Sequence, residues 1–310
     1  MPDFSNFIHS ALLQTLCSED WGRSPRHWSC SDTALTDALV EQTRWELLCA
    51  AAGGVWGRLR VANTIDTLPR ETIENTPPAP EQIQSLLAHG YSLVFNDIQD
   101  LSPDIAHLCK WLGNHLFAGV NCNVYLSPQH AQALPRHYDD QDVIVLQLSG
   151  QKHWRVYAAA NNQHNPLPGV EYSEKLASQG TCLLETTLTS AGALYIPAGF
   201  PHEANTTESD SVHLTFSLKT PCNADLIAAV LTQATFAPHD TVQLRGRLPT
   251  AWLDKPGPAH GQRALNQTRQ ILLRMAQALD LAKLQQALQL LSQQQSELTP
   301  DPQAPVTTGH

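Results

Sequence analysis

The chain has 310 residues, of which 42% are hydrophobic, with a formal net charge of −10 and 7 cysteines. That is enough for one large catalytic domain with a smaller appendage, and the acidic balance argues against a nucleic-acid partner while suiting a basic protein or peptide. An odd cysteine count with no C-x-x-C pair argues against a disulfide framework and a thiolate zinc site. No apolar run is long enough for a membrane span, and residues 1–10 lack a basic secretory start, so the expected location is the cytoplasm.

Residues 1–84 read as a mixed lead-in. Leu35, Leu39, Leu47 and Leu48 predict a helix over 32–49, broken by Gly53 and Gly54. A strand is expected at 55–62, a stiff proline connector at 77–80 and a helix at 80–88. A strand at 92–95 and a helix at 102–116 follow, the helix opened by Ser102-Pro103-Asp104. The texture then changes. Short β-rich runs at 121–126, 142–148, 154–157, 182–185, 193–196 and 213–218 alternate with turns marked by Gly150, Gly180, Gly192 and Gly199. Many short strands at this spacing predict a β sandwich or barrel. Beyond Pro221 the pattern is helical again, at 224–236 and over a longer stretch, 262–295, with Leu281, Leu284, Leu288 and Leu291 at three- and four-residue steps. The Pro- and Thr-rich tail, 299–310, reads as disordered.

The densest chemistry lies in Leu134-Pro135-Arg136-His137-Tyr138-Asp139-Asp140. His137 and Asp139 are two apart, so on an extended chain they project to one side and offer an imidazole and a carboxylate to one ion. A third ligand has to come from a distant strand. His202 is the candidate, because a strand at 194–196 runs through a Pro-Gly-Pro turn and presents it at the far end. Two histidines and one carboxylate make the facial triad of non-haem iron(II) oxygenases, with positions left open for a cosubstrate and oxygen. The plain alternative for His137 and Asp139 is a solvated histidine beside a turn aspartate.

Strand faces suggest where a cosubstrate would sit. Alternation in 213–218 places Leu214, Phe216 and Leu218 on one side and His213, Thr215 and Ser217 on the other. That polar side faces either a cavity or water. Asn123 and Tyr125 also share a face, and Lys152 opens a strand just after the Gly150 turn. A dicarboxylate such as 2-oxoglutarate needs a cation for its distal carboxylate and hydroxyl or amide donors beside it. Lys152, Thr215 and Asn123 can supply these, against the alternative of a solvated turn lysine.

Five stretches now resemble a known family in order and spacing: 123–128, 134–140, 145–157, 194–202 and 213–217. They are similar to the JmjC-type ribosomal oxygenases, cupin-like protein hydroxylases dependent on Fe(II) and 2-oxoglutarate. The resemblance implies a mainly β core with helical flanks, a JmjC/cupin double-stranded β-helix (jelly roll) at 85–222, followed by a C-terminal helical segment at 223–298. It implies iron ligation by His137, Asp139 and His202, and a distal carboxylate partner in Lys152. Asn123 and Thr215 match positions that hydrogen-bond the cosubstrate, and Tyr125 matches one near it. The implied activity is hydroxylation of a side chain of a protein or peptide, with Lys152-His153-Trp154 closer to the histidyl branch.

Two features depart from the family. Arg136 replaces its usual proline, which is expected to make the entrance beside the metal more basic. The roughly 90 residues after Pro221 supply a helical segment but not a full winged-helix domain as well. That helical segment either packs within the chain or forms a homodimer. Two other functions compete: a cupin-like protein that holds metal without turnover, and a JmjC N-methyl demethylase.

Overall fold

The structure is a computed structural model and describes residues 7–30, 33–51, 58–63, 79–159, 174–236 and 258–298. The chain divides into two compact units, Met1–Thr220 with Glu297–His310, and Pro221–Ser296.

The first unit is built on strands β1 (Arg26–Ser29), β2 (Leu59–Ala62), β3 (Ser92–Phe95), β4 (Gly119–Ser127), β5 (Asp142–Ser149), β6 (Lys152–Tyr157), β7 (Cys182–Leu188), β8 (Gly192–Ile196), β9 (His202–Thr206) and β10 (Ser211–Lys219). They form a seven-stranded sheet in the order β1-β8-β5-β10-β4-β3-β2 and a three-stranded sheet in the order β7-β6-β9. Every pairing is antiparallel. The chain changes sheet between β5 and β6, and again around β9, which is the winding of a double-stranded β-helix.

Residue alternation separates two cores. From β5, Ile144, Leu146 and Leu148 join the larger hydrophobic cluster with Leu214, Phe216 and Leu218 of β10. That cluster also takes Ile105, Leu108 and Leu112 from α5 (Pro103–Leu116), a helix capped by Ser102, whose Oγ accepts from the Ile105 N–H. The opposite residues of β5, Val143 and Val145, face the small sheet and pack with Trp154, Val156, Leu188 and Phe200. Each buried Leu, Ile or Phe contributes roughly 1.5–3 kcal/mol. The period of two thus leaves the polar face of β10 pointing into the space between the sheets.

The crossing from β5 to β6 depends on Gly150. It has φ +66°, and a Cβ there would sit 1.7 Å from the Asp210 carbonyl oxygen. Gly150→Ala is therefore expected to destabilise the protein by about 2–4 kcal/mol, lowering the melting temperature by roughly 5–10 °C. A melt superimposable on that of the parent protein would show that the turn relaxes.

Several expectations need correction. The helix predicted at 32–49 is two helices, α2 (Ala34–Gln42) and α3 (Trp45–Ala51). Thr43 ends the first by turning its hydroxyl back to the Val40 carbonyl, 3.0 Å away. The longer helical stretch divides into α8 (Pro258–Ala278) and α9 (Leu281–Leu298), because Asp280 accepts from the Lys283 N–H at 2.9 Å and starts a new helix. Strands β1 and β9 were missed: Arg26–Ser29 and His202–Thr206 lack apolar alternation, and they form through pairing with β8 and β6. The helix expected at 80–88 is α4 (Pro80–Ala88), and that at 224–236 is α7 (Asn223–Phe236); the short helices α1 (Ser10–Thr15) and α6 (Glu174–Ala177) were missed. Gly53, Gly54, Pro77, Pro78, residues 55–57 and the tail 299–310 lie outside the described residues.

Within the second unit, Ala229 of α7 packs on Ala287 and Leu291 of α9. Of the predicted leucine stripe, Leu291 is buried, while Leu281 and Leu288 are exposed. No described helix is long and apolar enough to cross a membrane.

Candidate functional site

The structure brings His137, Asp139 and His202 together. One ligand atom from each lies within 4.8 Å of the others. His137 Nε2 is 3.9 Å from Asp139 Oδ1, and His202 Nε2 is 3.7 Å from Asp139 Oδ2. Backbone bonds hold the stretches in register: the His202 N–H donates to the His137 carbonyl at 2.7 Å, and the His137 N–H returns a bond at 3.1 Å. The Gly199 N–H donates to the Asp139 carbonyl at 2.8 Å, tying the Pro-Gly-Pro turn to the other half of the site.

Tautomers follow from the hydrogen bonds. His137 Nδ1 lies 2.9 Å from the Pro135 carbonyl, and His202 Nδ1 lies 3.1 Å from the Phe200 carbonyl. A carbonyl only accepts, so each Nδ1 carries the proton and each Nε2 keeps its lone pair for the centre of the cluster. Burial, reinforced by the neighbouring His137, pushes the His202 pKa down to about 4, so this ring is a neutral ligand at ordinary pH. The donor set is two imidazole nitrogens and a carboxylate, half-exposed at Asp139, and it fits ferrous iron with open coordination positions.

A cavity of about 280 Å³ opens beside the triad, and its walls come from both sheets. Lys152, Trp154 and Ala204 line it from the small sheet; Tyr125, His213 and Thr215 line it from the large one. Lys152 is only 2% exposed. Its Nζ donates to Ser127 Oγ at 3.1 Å, and no carboxylate pairs with it among the described residues. Burial pushes its pKa down to about 7, which marks a buried cation without a counter-charge. Asn123 Oδ1 accepts from the Asp97 N–H at 3.0 Å, leaving the Nδ2 donors to the cavity. Desolvation first, and the Asp139 carboxylate second, push the Tyr125 phenol up to about 12.

All seven predicted site residues thus line one cavity. Sequence reasoning missed Ser127 as the neighbour of Lys152, although the period of two through Asn123 and Tyr125 leads to it. It also missed Trp154, which shares a face with Lys152. Arg136 is not among the residues that line the cavity. Its guanidinium stacks on the Tyr157 ring, 3.4 Å from the centroid, and donates to the Gln179 carbonyl.

Comparison with known proteins agrees with this geometry. Residues 95–226 match the JmjC domain family. The chain carries a JmjC domain. It is 44% identical over 222 residues to ribosomal oxygenase 2 of Bos taurus, covering 69% of this chain and 47% of that one. It is 32% identical over 200 residues to the bifunctional lysine-specific demethylase and histidyl-hydroxylase NO66 of Dictyostelium discoideum, covering 62% and 38%. The chain therefore spans less than half the length of either relative. The crystal structure of the ribosomal oxygenase YcfD of Escherichia coli shares the fold, with a TM-score of 0.50 and 16% identity over 89% of this chain and 69% of that one.

Proposed function

We propose that this JmjC protein is an Fe(II)- and 2-oxoglutarate-dependent dioxygenase that hydroxylates a side chain of a protein or peptide, with histidine the favoured target. One observation carries the reading: a buried lysine without a counter-ion shares a 280 Å³ cavity with the His137, Asp139 and His202 cluster. A protein that only stored metal would have no use for that cation, whose burial is costly until an anion arrives.

His137, Asp139 and His202 would hold the iron through Nε2, a carboxylate oxygen and Nε2. Lys152 would pair with the distal carboxylate of 2-oxoglutarate, with Thr215 and the Asn123 amide as further donors and Tyr125 in the adjoining wall. When bound, the metal and 2-oxo acid supply the oxidising chemistry, with release of succinate and carbon dioxide. The chain's own residues fix ligand directions, orient the diacid and exclude bulk water, which strengthens the charge pairing inside.

The names of the relatives support a protein substrate and a histidyl target. A basic substrate suits the net charge of −10. The domain reading is 1–84 lead-in, 85–222 catalytic and 223–298 helical, with the last as a homodimer contact; exposed Leu272, Leu273, Leu281 and Leu288 support that contact. Cys17, Cys30, Cys109, Cys122, Cys182 and Cys222 are free thiols, which supports a cytoplasmic location.

The test is anaerobic reconstitution with Fe(II) and 2-oxoglutarate, then air, with a library of basic peptides rich in histidine. Succinate above that of a His137→Ala control, with a peptide mass gain of about 16, is the expected result. No succinate above the control would reject the oxygenase. With N-methyl-lysine peptides added to the library, a mass loss of about 14 would instead favour demethylation, the other activity in the name of the Dictyostelium relative.

A further inference from the structure

Once the triad, Lys152, Asn123 and Thr215 are assigned, two buried polar groups in the cavity wall remain unsatisfied: His213 Nδ1 and Trp154 Nε1. His213 is 2% exposed, and its ring makes no hydrogen bond among the described residues. Its contacts are aromatic. It stacks on Tyr125 with centroids 4.8 Å apart and planes 9° from parallel, and it meets Trp154 edge-on at 5.6 Å and 83°. These contacts fix the plane of the imidazole and leave both ring nitrogens without a hydrogen-bond partner among the described residues. Nδ1 is enclosed, so Nε2 is the nitrogen through which the ring meets a ligand in the cavity it lines, and a buried ring held in one plane without a partner calls for one from outside.

The register shows where that acceptor would lie. His213 is opposite Tyr125, one inward-facing row from the Ser211 and Ser127 pair. Lys152 reaches Ser127 from the other sheet, and its Nζ stands 5.8 Å from the centroid of the same Tyr125 ring on which His213 stacks. The ammonium and the imidazole therefore line one cavity beside the same Tyr125 ring. Burial, and then the Lys152 charge, lower the His213 pKa well below its usual value, so the ring is a neutral donor beside a cation. An anionic oxygen between them satisfies both, whereas water would leave the ammonium unneutralised.

We propose that His213 donates a hydrogen bond to the same carboxylate that Lys152 pairs with, and so acts as a specificity-determining residue for a dicarboxylate over a monocarboxylate 2-oxo acid. The proposal rests on the cosubstrate reading above.

The test is calorimetric titration of the full zinc-loaded chain with 2-oxoglutarate and with 2-oxopentanoate, which lacks the distal carboxylate. His213→Phe keeps an aromatic ring and removes the donor. It is expected to weaken 2-oxoglutarate roughly 10-fold or more and to leave 2-oxopentanoate and zinc affinity unchanged, with part of the loss restored in His213→Gln. Equal losses for both acids, or no loss for either, would overturn the proposal. In the parent protein, NMR of isotope-labelled histidine reads the same contact without a substitution: 2-oxoglutarate, and not 2-oxopentanoate, should shift the His213 N–H signal. A parent protein that binds no 2-oxoglutarate would remove the cosubstrate reading and this proposal together. Binding that His213→Phe leaves intact would remove this proposal alone.

Discussion

Asp139→Ala is expected to abolish turnover and to weaken divalent metal binding by more than the roughly 10–100-fold that loss of an outer contact costs. The carboxylate supplies the only negative charge in the cluster, and both histidines approach it, at 3.9 and 3.7 Å. Without it, two imidazoles remain, and a hard ferrous ion loses its oxygen donor. Stability should respond differently. The Asp139 side chain is 41% exposed, and the bond from the Gly199 N–H goes to its backbone carbonyl, which alanine retains. The metal-free variant should therefore melt close to the parent protein, while the stabilisation that added Mn(II) gives the parent disappears. Melting temperatures with and without Mn(II) check this. Retention of the Mn(II) effect would show that the ion binds elsewhere.

Lys152→Met is expected to separate binding from stability. It removes the cation proposed to hold the distal carboxylate, so 2-oxoglutarate affinity should fall about 100-fold or more, with metal affinity preserved. The metal-free variant should be at least as stable as the parent, because an unpaired buried ammonium gives way to an apolar chain of similar length. The pH dependence gives a second readout. The folded pKa, about 7, lies below the ordinary lysine value of 10.5. Between those values the unfolded chain holds a proton that the folded chain has released, so the parent gains stability as pH rises from about 7 towards 10.5. The methionine variant lacks that contribution. Ligand binding runs the other way: 2-oxoglutarate needs the charged lysine, so affinity is flat below pH 7 and falls above it. A variant that binds 2-oxoglutarate as tightly as the parent, or an affinity that rises above neutral pH, would refute this role.

Much of the site was legible because its signals are local. His137 and Asp139 are two apart on extended chain, and Leu214, Phe216 and Leu218 alternate with His213, Thr215 and Ser217, so a period of two assigns the faces without any knowledge of the partners. The Pro-Gly-Pro turn before His202 is likewise a local signal. Strand β9 was invisible for the converse reason. Its five residues, His202–Thr206, gain their conformation from pairing with β6, and neither propensity nor alternation announces it.

The amino-acid order by itself determined which side chains share a strand face, which turns separate the strands, and which donors the chain has for a metal and a diacid. Tertiary structure alone decided that Lys152 lies buried against Ser127, that His213 and Trp154 meet edge-on, and that Arg136 stacks on Tyr157 and donates to the Gln179 carbonyl. The physical reason is range. Periodicity is set by backbone geometry over a few residues, whereas desolvation, pKa and unsatisfied donors depend on which face of one sheet closes over which face of the other.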